Sequence, residues 1–401
     1  MATSYLAPGV YIEEVSTGAR PIEAVGTSTA AFVGEAPMAE AFAGVPQAIN
    51  NWTEFVNKFA QDATASTPLA HAVFGFFLNG GSRCYVVNVG RTAIRVGLRA
   101  LEAYDEVSIV AAPGLANPDV YDALLGHCET LKDRIAILDP PQEVANIAAL
   151  KDVAVVTAGK GKGKAADDAA AAPENAGLRP RESDNGFGAF YFPWLLVRDP
   201  LNMKAVDPVP VPPSGHLAGI YARTDAMRGV HKAPANEPVR GALGLTYRVT
   251  HREQEVLNPN GVNCIRFFSG EGIKVWGART VASSSSEWRY VNVRRLFTMI
   301  EESIARSTRW VVFEPNDLTL WQKIRRDVSA FLRLLWSQGA LMGATPEEAF
   351  FVKCDAETNP PEVIDAGRVV VVIGIAPVKP AEFVIFRIGQ GVGGTDVEVQ
   401  R

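Results

Sequence analysis

The sequence has little of what metal sites, disulfide frameworks and membrane spans require. Its 401 residues include four cysteines and five histidines, and the cysteines, at positions 84, 128, 264 and 354, form no CxxC pair. This spacing predicts buried free thiols in a reducing compartment and no bound metal. No apolar run approaches the ~20 residues that cross a bilayer, and the N-terminal sequence lacks the basic and apolar regions of a signal peptide. We therefore expect synthesis in the cytoplasm and no direct insertion into a membrane.

The charge balance also does not indicate a particular class of binding partner. The net charge is -5, with 21% charged and 47% apolar residues, which is typical of a soluble globular protein. Because positive charge is not in excess, the composition predicts no nucleic acid partner. The length exceeds that of a usual single domain, so we expect two domains or one domain with a large insertion.

One glycine-rich sequence near the C-terminus matches the GxGxxG pattern of dinucleotide sites, at Gly389, Gly391, Gly393 and Gly394. Such a site needs a helix directly after the glycines and an acidic residue about 20 positions further on. Only a short polar tail follows here, so we interpret the glycines as a flexible hinge. The basic run at 159–164 lacks the spacing of a phosphate-binding loop. The sequence predicts no cofactor.

The most enzyme-like group of residues lies between His216 and Glu237. It is a concentration of side chains that can act as acids, bases or anion ligands, namely His216, Arg223, Asp225, His231, Lys232 and Glu237. Ordinary surface and interface polarity explains the same pattern, and no known catalytic motif accompanies it. We predict no catalytic residues, and an α/β enzyme with a site in this region remains the competing hypothesis.

Two regions of regular structure follow from the hydrophobic pattern. From residue 23 to 245, short β-branched segments alternate with helical patterns, which predicts an α/β domain with parallel pairing. Asn117, Pro118 and Asp119 form a helix start signal within it, and Ser214 is predicted to cap a helix that runs to Met227. Residues 158–188 have almost no large apolar side chains and predict a flexible, solvated insertion.

The region from 246 to 389 predicts an α+β domain. We expect strands at Cys264–Phe268, Ile273–Trp276 and Trp310–Phe313. We also expect a helix whose apolar side chains recur from Val293 to Ile304, and a second helix from Leu318 to Gln338.

The second of these helices carries a basic stripe on its polar side. The stripe consists of Lys323, Arg326 and Arg333, opposite the apolar face. It is either a solvated helix face or a docking surface for an acidic partner. Arg294 and Arg295 on the preceding helix would enlarge this surface if the two helices lie side by side.

Two apolar segments near the C-terminus, Val369–Ile375 and Phe383–Ile388, are predicted to be core strands. The chain ends, residues 1–22 and 390–401, are short strand-like arms that cannot form a core alone. Their apolar residues are the ones that would enter a sheet, namely Val10, Tyr11, Ile12, Val15, Val397 and Val399.

Several long segments resemble the contractile tail sheath proteins of phages and related injection systems. They include NPNGVNCIRFFSGEGIKVWGART (Asn258 to Thr280), SEWRYVNVRRLFTMIEESI (Ser286 to Ile304), TPEEAFFVKCD (Thr345 to Asp355), APVKPAEFVIFRIGQ (Ala376 to Gln390) and, earlier, LAPGVYIEEV (Leu6 to Val15). The resemblance spans nearly the whole chain. It is weakest over the 158–188 insertion.

The resemblance implies a tail-sheath fold with an inner C-terminal domain, an outer α/β domain and extended arms that add strands to sheets of neighbouring subunits. Ala2 to Val15 and Thr395 to Arg401 would be these arms. It also implies a helical homopolymer around an inner tube, with baseplate and cap proteins as further partners, and Lys323, Arg326 and Arg333 as residues that face the tube.

Contraction of a metastable extended lattice would then drive the tube through a target envelope. The particle would assemble in the cytoplasm and become part of a phage tail or of a phage-tail-like injection particle. A non-contracting sheath paralogue that joins sheath to baseplate or cap shares the same motifs and is the alternative within this class.

Overall fold

The computed structural model of the chain describes residues 21–89, 94–154, 177–202 and 204–385. The strands there are β1 (Ala30–Gly34), β2 (Gln47–Ile49), β3 (Cys84–Asn88), β4 (Ile109–Ala111), β5 (Ile135–Leu138), β6 (Gly188–Phe192), β7 (Leu195–Val197), β8 (Val209–Val211), β9 (Glu237–Pro238), β10 (Gly244–Leu245), β11 (Val262–Phe268), β12 (Gly272–Val275), β13 (Phe350–Lys353) and β14 (Val372–Ile375). The helices are α1 (Trp52–Phe59), α2 (Pro68–Leu78), α3 (Ile94–Ala100), α4 (Pro118–Leu131), α5 (Ser214–Arg228), α6 (His251–Leu257), α7 (Val291–Ser307), α8 (Leu318–Ser337), α9 (Pro346–Ala349) and α10 (Pro361–Asp365).

The main sheet has the strand order β2-β3-β1-β4-β5-β6-β11-β12-β9 within the described part of the chain. The strands from β3 to β11 in this order pair in parallel, while β2, β12 and β9 are antiparallel at the two ends. Every residue of β1, β3, β5 and β6 is buried. Short, uninterrupted apolar strands of this kind need cover on both faces, as parallel sheets do.

Two layers of helices supply that cover. One face packs against α1, α2 and α5, around Phe32, Phe55 and Phe76. The other packs against α3, α4 and α6, around Leu98, Leu124 and Leu257. The predicted α/β class is therefore confirmed.

Local signals explain where the helices begin. Asn117 accepts a hydrogen bond from the backbone N–H of Val120, and Pro118 occupies the first turn of α4, as the sequence predicts. Ser214 is different. It is the first residue of α5, and its hydroxyl donates to the Asp139 carboxylate (2.6 Å) instead of capping the helix.

The contact between α2 and α5 depends on small residues. A Cβ at Gly215 would lie 2.2 Å from the Cα of Ala72, and one at Gly219 would lie 2.4 Å from the carbonyl oxygen of Phe76. Only glycine permits this close backbone approach. The two helices therefore pack as a single rigid pair on one face of the sheet.

A separate core forms from α7, α8 and the two-stranded sheet of β13 and β14. The buried face of α8 contains the apolar residues that the helical period predicts, Leu320, Ile324, Val328, Phe331, Leu332 and Leu335. Ile22, from the predicted N-terminal arm, belongs to the same core. Its burial makes Ile22 part of the folded core, one residue before the predicted start of the α/β domain at residue 23.

The predicted division at residue 245 differs from the structure. Strands β11 and β12 extend the main sheet, because β11 pairs in parallel with β6 through the register Val262↔Phe190. The change of core falls later, between β12 and α7. Sequence pattern could not reveal this, since a strand carries no mark of which sheet it joins.

Three strand predictions are also corrected. Residues 309–311 form a 3-10 turn in place of the strand predicted at Trp310–Phe313. Only Val372–Ile375 of the predicted 369–375 strand is extended and paired. Of the predicted strand Phe383–Ile388, residues 383–385 are exposed and lie outside any strand, and residues 386–388 lie outside the described residues. β-branched sequence favours a strand only where a neighbouring strand or core covers it.

The predicted solvated insertion at 158–188 is wrong in its last part. Arg179, Ser183 and Phe187 are buried, and the Arg179 guanidinium donates to the carbonyl oxygen of Asn260 (3.0 Å). Residues 158–176 lie outside the described residues. So do the arm residues of 1–15, the hinge glycines 389–394 and the arm at 395–401.

Candidate assembly surfaces

The predicted basic stripe lies on the exposed side of α8. Lys323, Arg326 and Arg333 are exposed, and Arg325, which the sequence analysis did not single out, is exposed beside them. Asp317 caps the helix by accepting a hydrogen bond from the backbone N–H of Leu320 (2.8 Å). The side chains project from a helix that is fixed by its buried face, so the charges keep a constant spacing. We call these four residues the basic face.

The two arginines that were expected to enlarge this surface do not do so. Arg294 is buried, with its guanidinium 4.3 Å from the ring centre of Trp288 and 4.7 Å from that of Phe187. Arg295 is buried in an ion pair with Asp225. Both arginines point into the fold because aromatic rings and a carboxylate compensate their charge there.

The sheet of β13 and β14 has two strands and no further partner among the described residues. Its pairs run Phe350↔Ile375, Phe351↔Gly374, Val352↔Ile373 and Lys353↔Val372. One face packs on the core with α8, while Phe351 and Val372 are exposed on the other. Unpaired backbone groups at the edges of a sheet are a template for another strand. This sheet therefore has open edges of the kind that the arm hypothesis requires.

Hydrogen bonds hold Glu382 in place shortly before the last described residue, Ile385. The Arg279 guanidinium donates to this carboxylate from Nε (2.7 Å) and Nη2 (2.6 Å), and Asn258 donates to it as well (3.1 Å). Burial alone would raise the pKa of Glu382, but these hydrogen bonds and the charge of Arg279 lower it. After this anchor, Phe383, Val384 and Ile385 are 69–80% exposed. Three consecutive apolar side chains are thus presented at the surface without cover from the described residues.

The polar residues between His216 and Glu237 do not converge on one cavity. Arg223 donates to the carbonyl oxygens of Asn79 (3.1 Å) and Pro238 (2.7 Å). Lys232 pairs with Glu237 (3.2 Å), Asp225 pairs with Arg295, and His216 lies between α2 and α5 against Gly75. These side chains hold elements of the fold together, which explains their concentration in the sequence.

The carboxyl edge of the main sheet, where open α/β sheets bind ligands next to a reversal of strand order, is occupied by the loop after β1. The Asn88 side-chain amide donates to the carbonyl oxygens of Met38, Ala39 and Ala41 (2.8–3.1 Å). Its carbonyl oxygen accepts from the backbone N–H of Ala36 (3.1 Å). The loop is therefore tied across the ends of β1 and β3.

The described residues contain no cluster of three or more histidine, cysteine, aspartate or glutamate side chains placed to hold a metal ion. Within the same ranges, no helix combines the length and the apolar character that crossing a membrane requires.

His216 predicts a pH dependence of stability. Burial, together with the nearby His71, lowers its pKa from 6.5 to about 4, and its Nδ1 has no hydrogen-bond partner. A group with a lowered pKa in the folded state stays neutral while the unfolded chain takes up a proton. The contribution of neutral His216 to the free energy of unfolding, on the order of 3 kcal/mol, is therefore complete above pH 6.5 and is lost as the pH falls toward 4.

We expect His216→Leu to flatten the decline of the urea midpoint between pH 6.5 and 4, and exposed His251→Asn to leave it unchanged. Comparison with wild type separates the effect of His216 from that of Asp139, since Asp139 is present in both proteins. Burial raises the pKa of Asp139 from 3.8 to about 6. Its effect on stability as the pH falls is therefore opposite to that of His216. Equal slopes for wild type and His216→Leu would contradict the assignment.

Comparison with known proteins accounts for the fold. Residues 88–281 match the phage tail sheath protein central domain, and residues 283–390 match the phage tail sheath C-terminal domain. The sheath of PVC, an extracellular contractile injection system, in its contracted state is 31% identical, with a TM-score of 0.77 over 98% of this chain and 99% of that one. The contracted helical sheath of the anti-feeding prophage is 30% identical, with a TM-score of 0.74 over 97% of this chain and all of the other.

Phage proteins match over a smaller share of their length. The tail sheath protein of Salmonella phage ViI is 29% identical over 303 residues, which are 71% of this chain and 44% of that protein. The tail sheath protein of Escherichia phage P2 is 28% identical over 175 residues, or 42% of each chain. The chain thus spans less than half the length of these phage relatives, whereas it matches the injection-system sheaths from end to end. On this evidence the chain belongs to the phage tail sheath family.

Proposed function

We propose that this protein is a structural sheath subunit that polymerises helically around an inner tube and contracts to drive the tube through a target envelope. The observation that carries the proposal is the match to the PVC sheath over nearly the full length of both chains. The end-to-end correspondence favours an injection-system sheath over a larger phage sheath. Contraction would release the energy of a metastable extended lattice and would need no bound nucleotide.

The connections between subunits would be made by the chain ends. Val397 and Val399 of one arm alternate with polar residues, as in a strand that adds to an open edge. The other arm contains a short strand-like segment with Val10, Tyr11, Ile12 and Val15. The sheet of β13 and β14 offers two such edges. Pairing of an arm with the sheet of another copy is a heterologous contact, so it builds an open helical polymer. The glycines 389–394 would let the arms keep copies connected while the domains rotate.

The basic face of α8 would contact the tube. Individual exposed ion pairs contribute only about 0–1 kcal/mol and are screened by salt. Such contacts hold the sheath in place through their number and separate one by one during contraction. A tube with an acidic outer surface is the partner that this arrangement fits.

Reversal of Lys323, Arg326 and Arg333 to glutamate tests this contact. We expect the variant to fold and polymerise but to release the tube at lower salt than wild type, measured by co-sedimentation of tube and sheath over a salt series. Reversal of the exposed residues Arg95, Arg99 and Lys151 makes the same change in charge on the main domain and should leave tube retention unchanged. Equal retention in both variants would show that α8 faces elsewhere.

Baseplate and cap proteins would terminate the polymer at its two ends. Assembly would take place in the cytoplasm, and the finished particle would be part of a phage tail or of a released injection particle. We infer no catalytic activity, because the polar residues that suggested an enzyme are engaged in holding the fold together. A chain in the structure of the anti-feeding prophage baseplate is 30% identical to this one, with a TM-score of 0.74, and supports an association with a baseplate.

Electron microscopy of the protein produced together with its tube and baseplate proteins tests the function directly. We expect hollow striated tubes in two lengths, a long narrow form and a short wide form. Particles that never shorten would favour the non-contracting paralogue. Soluble monomers at every ratio of the components would overturn the proposal.

A further inference from the structure

The segment from Ile22 to Thr27, here called the strap, lies extended along one side of α7. Ile22 is buried in the core around α7 and α8. The backbone N–H of Glu23 donates to the Ser307 hydroxyl (3.3 Å), and that of Val25 donates to the Ser303 hydroxyl (3.0 Å). The strap therefore runs antiparallel to the helix, starting at its C-terminal end.

The two elements fit because their repeats match. Ser303 and Ser307 are four residues apart on the helix, a rise of about 6 Å. Glu23 and Val25 are two residues apart in an extended chain, which covers nearly the same distance, about 6.6 Å. The backbone N–H groups of Glu23 and Val25 can therefore both donate to hydroxyls on the same stripe of α7.

The far end of the strap is fixed at a buried ion pair. The Thr27 hydroxyl donates to Asp225 Oδ2 (2.5 Å), and Arg295 Nη2 donates to the carbonyl oxygen of Thr27 (2.9 Å). Arg295 and Asp225 are themselves joined by two hydrogen bonds (2.9 and 2.5 Å), with side chains only 4% and 7% exposed. This point joins the strap to α5 and α7, immediately before β1.

We propose that the strap is a tension anchor, which transfers a pull on residues 1–20 to α7 and to the Arg295–Asp225 pair and keeps that pull away from β1. The inference rests on the proposed function, in which residues 1–15 connect one copy to another. A force applied along the axis of α7 is shared by all the hydrogen bonds of the strap at the same time. Without them, the same pull would act on β1, which lies between β3 and β4 in the main sheet.

Single-molecule pulling on the isolated chain tests the anchor without any polymer. Met227 is 71% exposed at the end of α5, close in sequence to Asp225, and all four native cysteines are buried. A handle on Met227→Cys and another at the N-terminus therefore place the load across the strap. In the Met227→Cys reference chain we expect a first release that frees residues 21–29, about 30 Å of chain, before the main core unfolds.

Ser303→Ala removes the acceptor for Val25, and Thr27→Val removes the donor to Asp225. Both should lower the force of the first release. In Ser303→Ala, hydrogen exchange at the Val25 amide should become roughly 5- to 30-fold faster, as expected for the loss of 1–2 kcal/mol. The matched control is Thr130→Ala on α4, whose hydroxyl also donates to the carbonyl oxygen four residues earlier but does not touch the strap.

Equal release forces in Ser303→Ala, Thr27→Val and Thr130→Ala would overturn the anchor, as would a first event of the size of main-core unfolding. Polymerisation of the same variants is a separate measurement. A chain that never forms sheaths but shows the strap release would contradict the proposed function and leave the anchor standing.

Discussion

Removal of Thr395 to Arg401 should abolish the formation of long sheaths while leaving the subunit folded. These residues have the alternation of an added strand, and the sheet of β13 and β14 has no third strand among the described residues. If the arm supplies that strand, its deletion removes a connection from every copy, and a polymer loses length steeply when each contact weakens. Electron microscopy with the tube present, together with the circular dichroism of the monomer, measures the two effects separately.

The insertion provides a control of equal size. Deletion of Lys162 to Asp168 also removes seven residues, but from a segment with no strand character that is distant in sequence from either arm. We expect this variant to form sheaths of normal length. Normal sheaths from both deletions would refute the role of the C-terminal arm, and failure of both would point to a general loss of folding.

Replacement of Asp225 by alanine should cost about 3–5 kcal/mol in the free energy of unfolding, because it leaves the Arg295 guanidinium buried without a counter-charge. The pair is almost fully buried, and Arg295 also lies over the ring of Tyr221, with 4.8 Å between the guanidinium carbon and the ring centre. Urea denaturation of the purified monomer measures the loss. The double variant Asp225→Leu with Arg295→Met should recover much of it, since apolar residues of similar size often replace a buried pair without cost.

An ion pair on the same helix serves as the comparison. Arg306 and Glu302 are 30% and 27% exposed, so Glu302→Ala should cost less than about 1 kcal/mol. A loss of that size for Asp225→Ala would show that the buried pair contributes little to the junction between the two cores.

The parts of this fold that sequence predicts are those decided by neighbouring residues. The period of apolar residues gives α8 its buried face, and Asn117 with Pro118 marks the start of α4. The exposure of Lys323, Arg326 and Arg333 follows from the same period. In each case the physical cause lies in residues that are close to the feature in the sequence.

The parts that sequence could not give depend on distant partners. Arg295 appears basic and solvated until Asp225, 70 positions earlier, is brought beside it. Arg179 and Phe187 appear to belong to a polar insertion until the main sheet covers them. Phe383 to Ile385 shows the reverse case. The sequence is strand-like, but no strand or core within the described part of the chain packs over it.

The main sheet itself ends in very short strands. Its outermost members are β2, with three residues, and β9, with two, one of which is Pro238. Proline has no backbone N–H, and so short an edge gives an incoming strand few groups to pair with. Newly made chains crowded in a cell are thereby protected from sticking together through their largest sheet. The small sheet of β13 and β14 keeps open edges, while the large one is closed to mispairing.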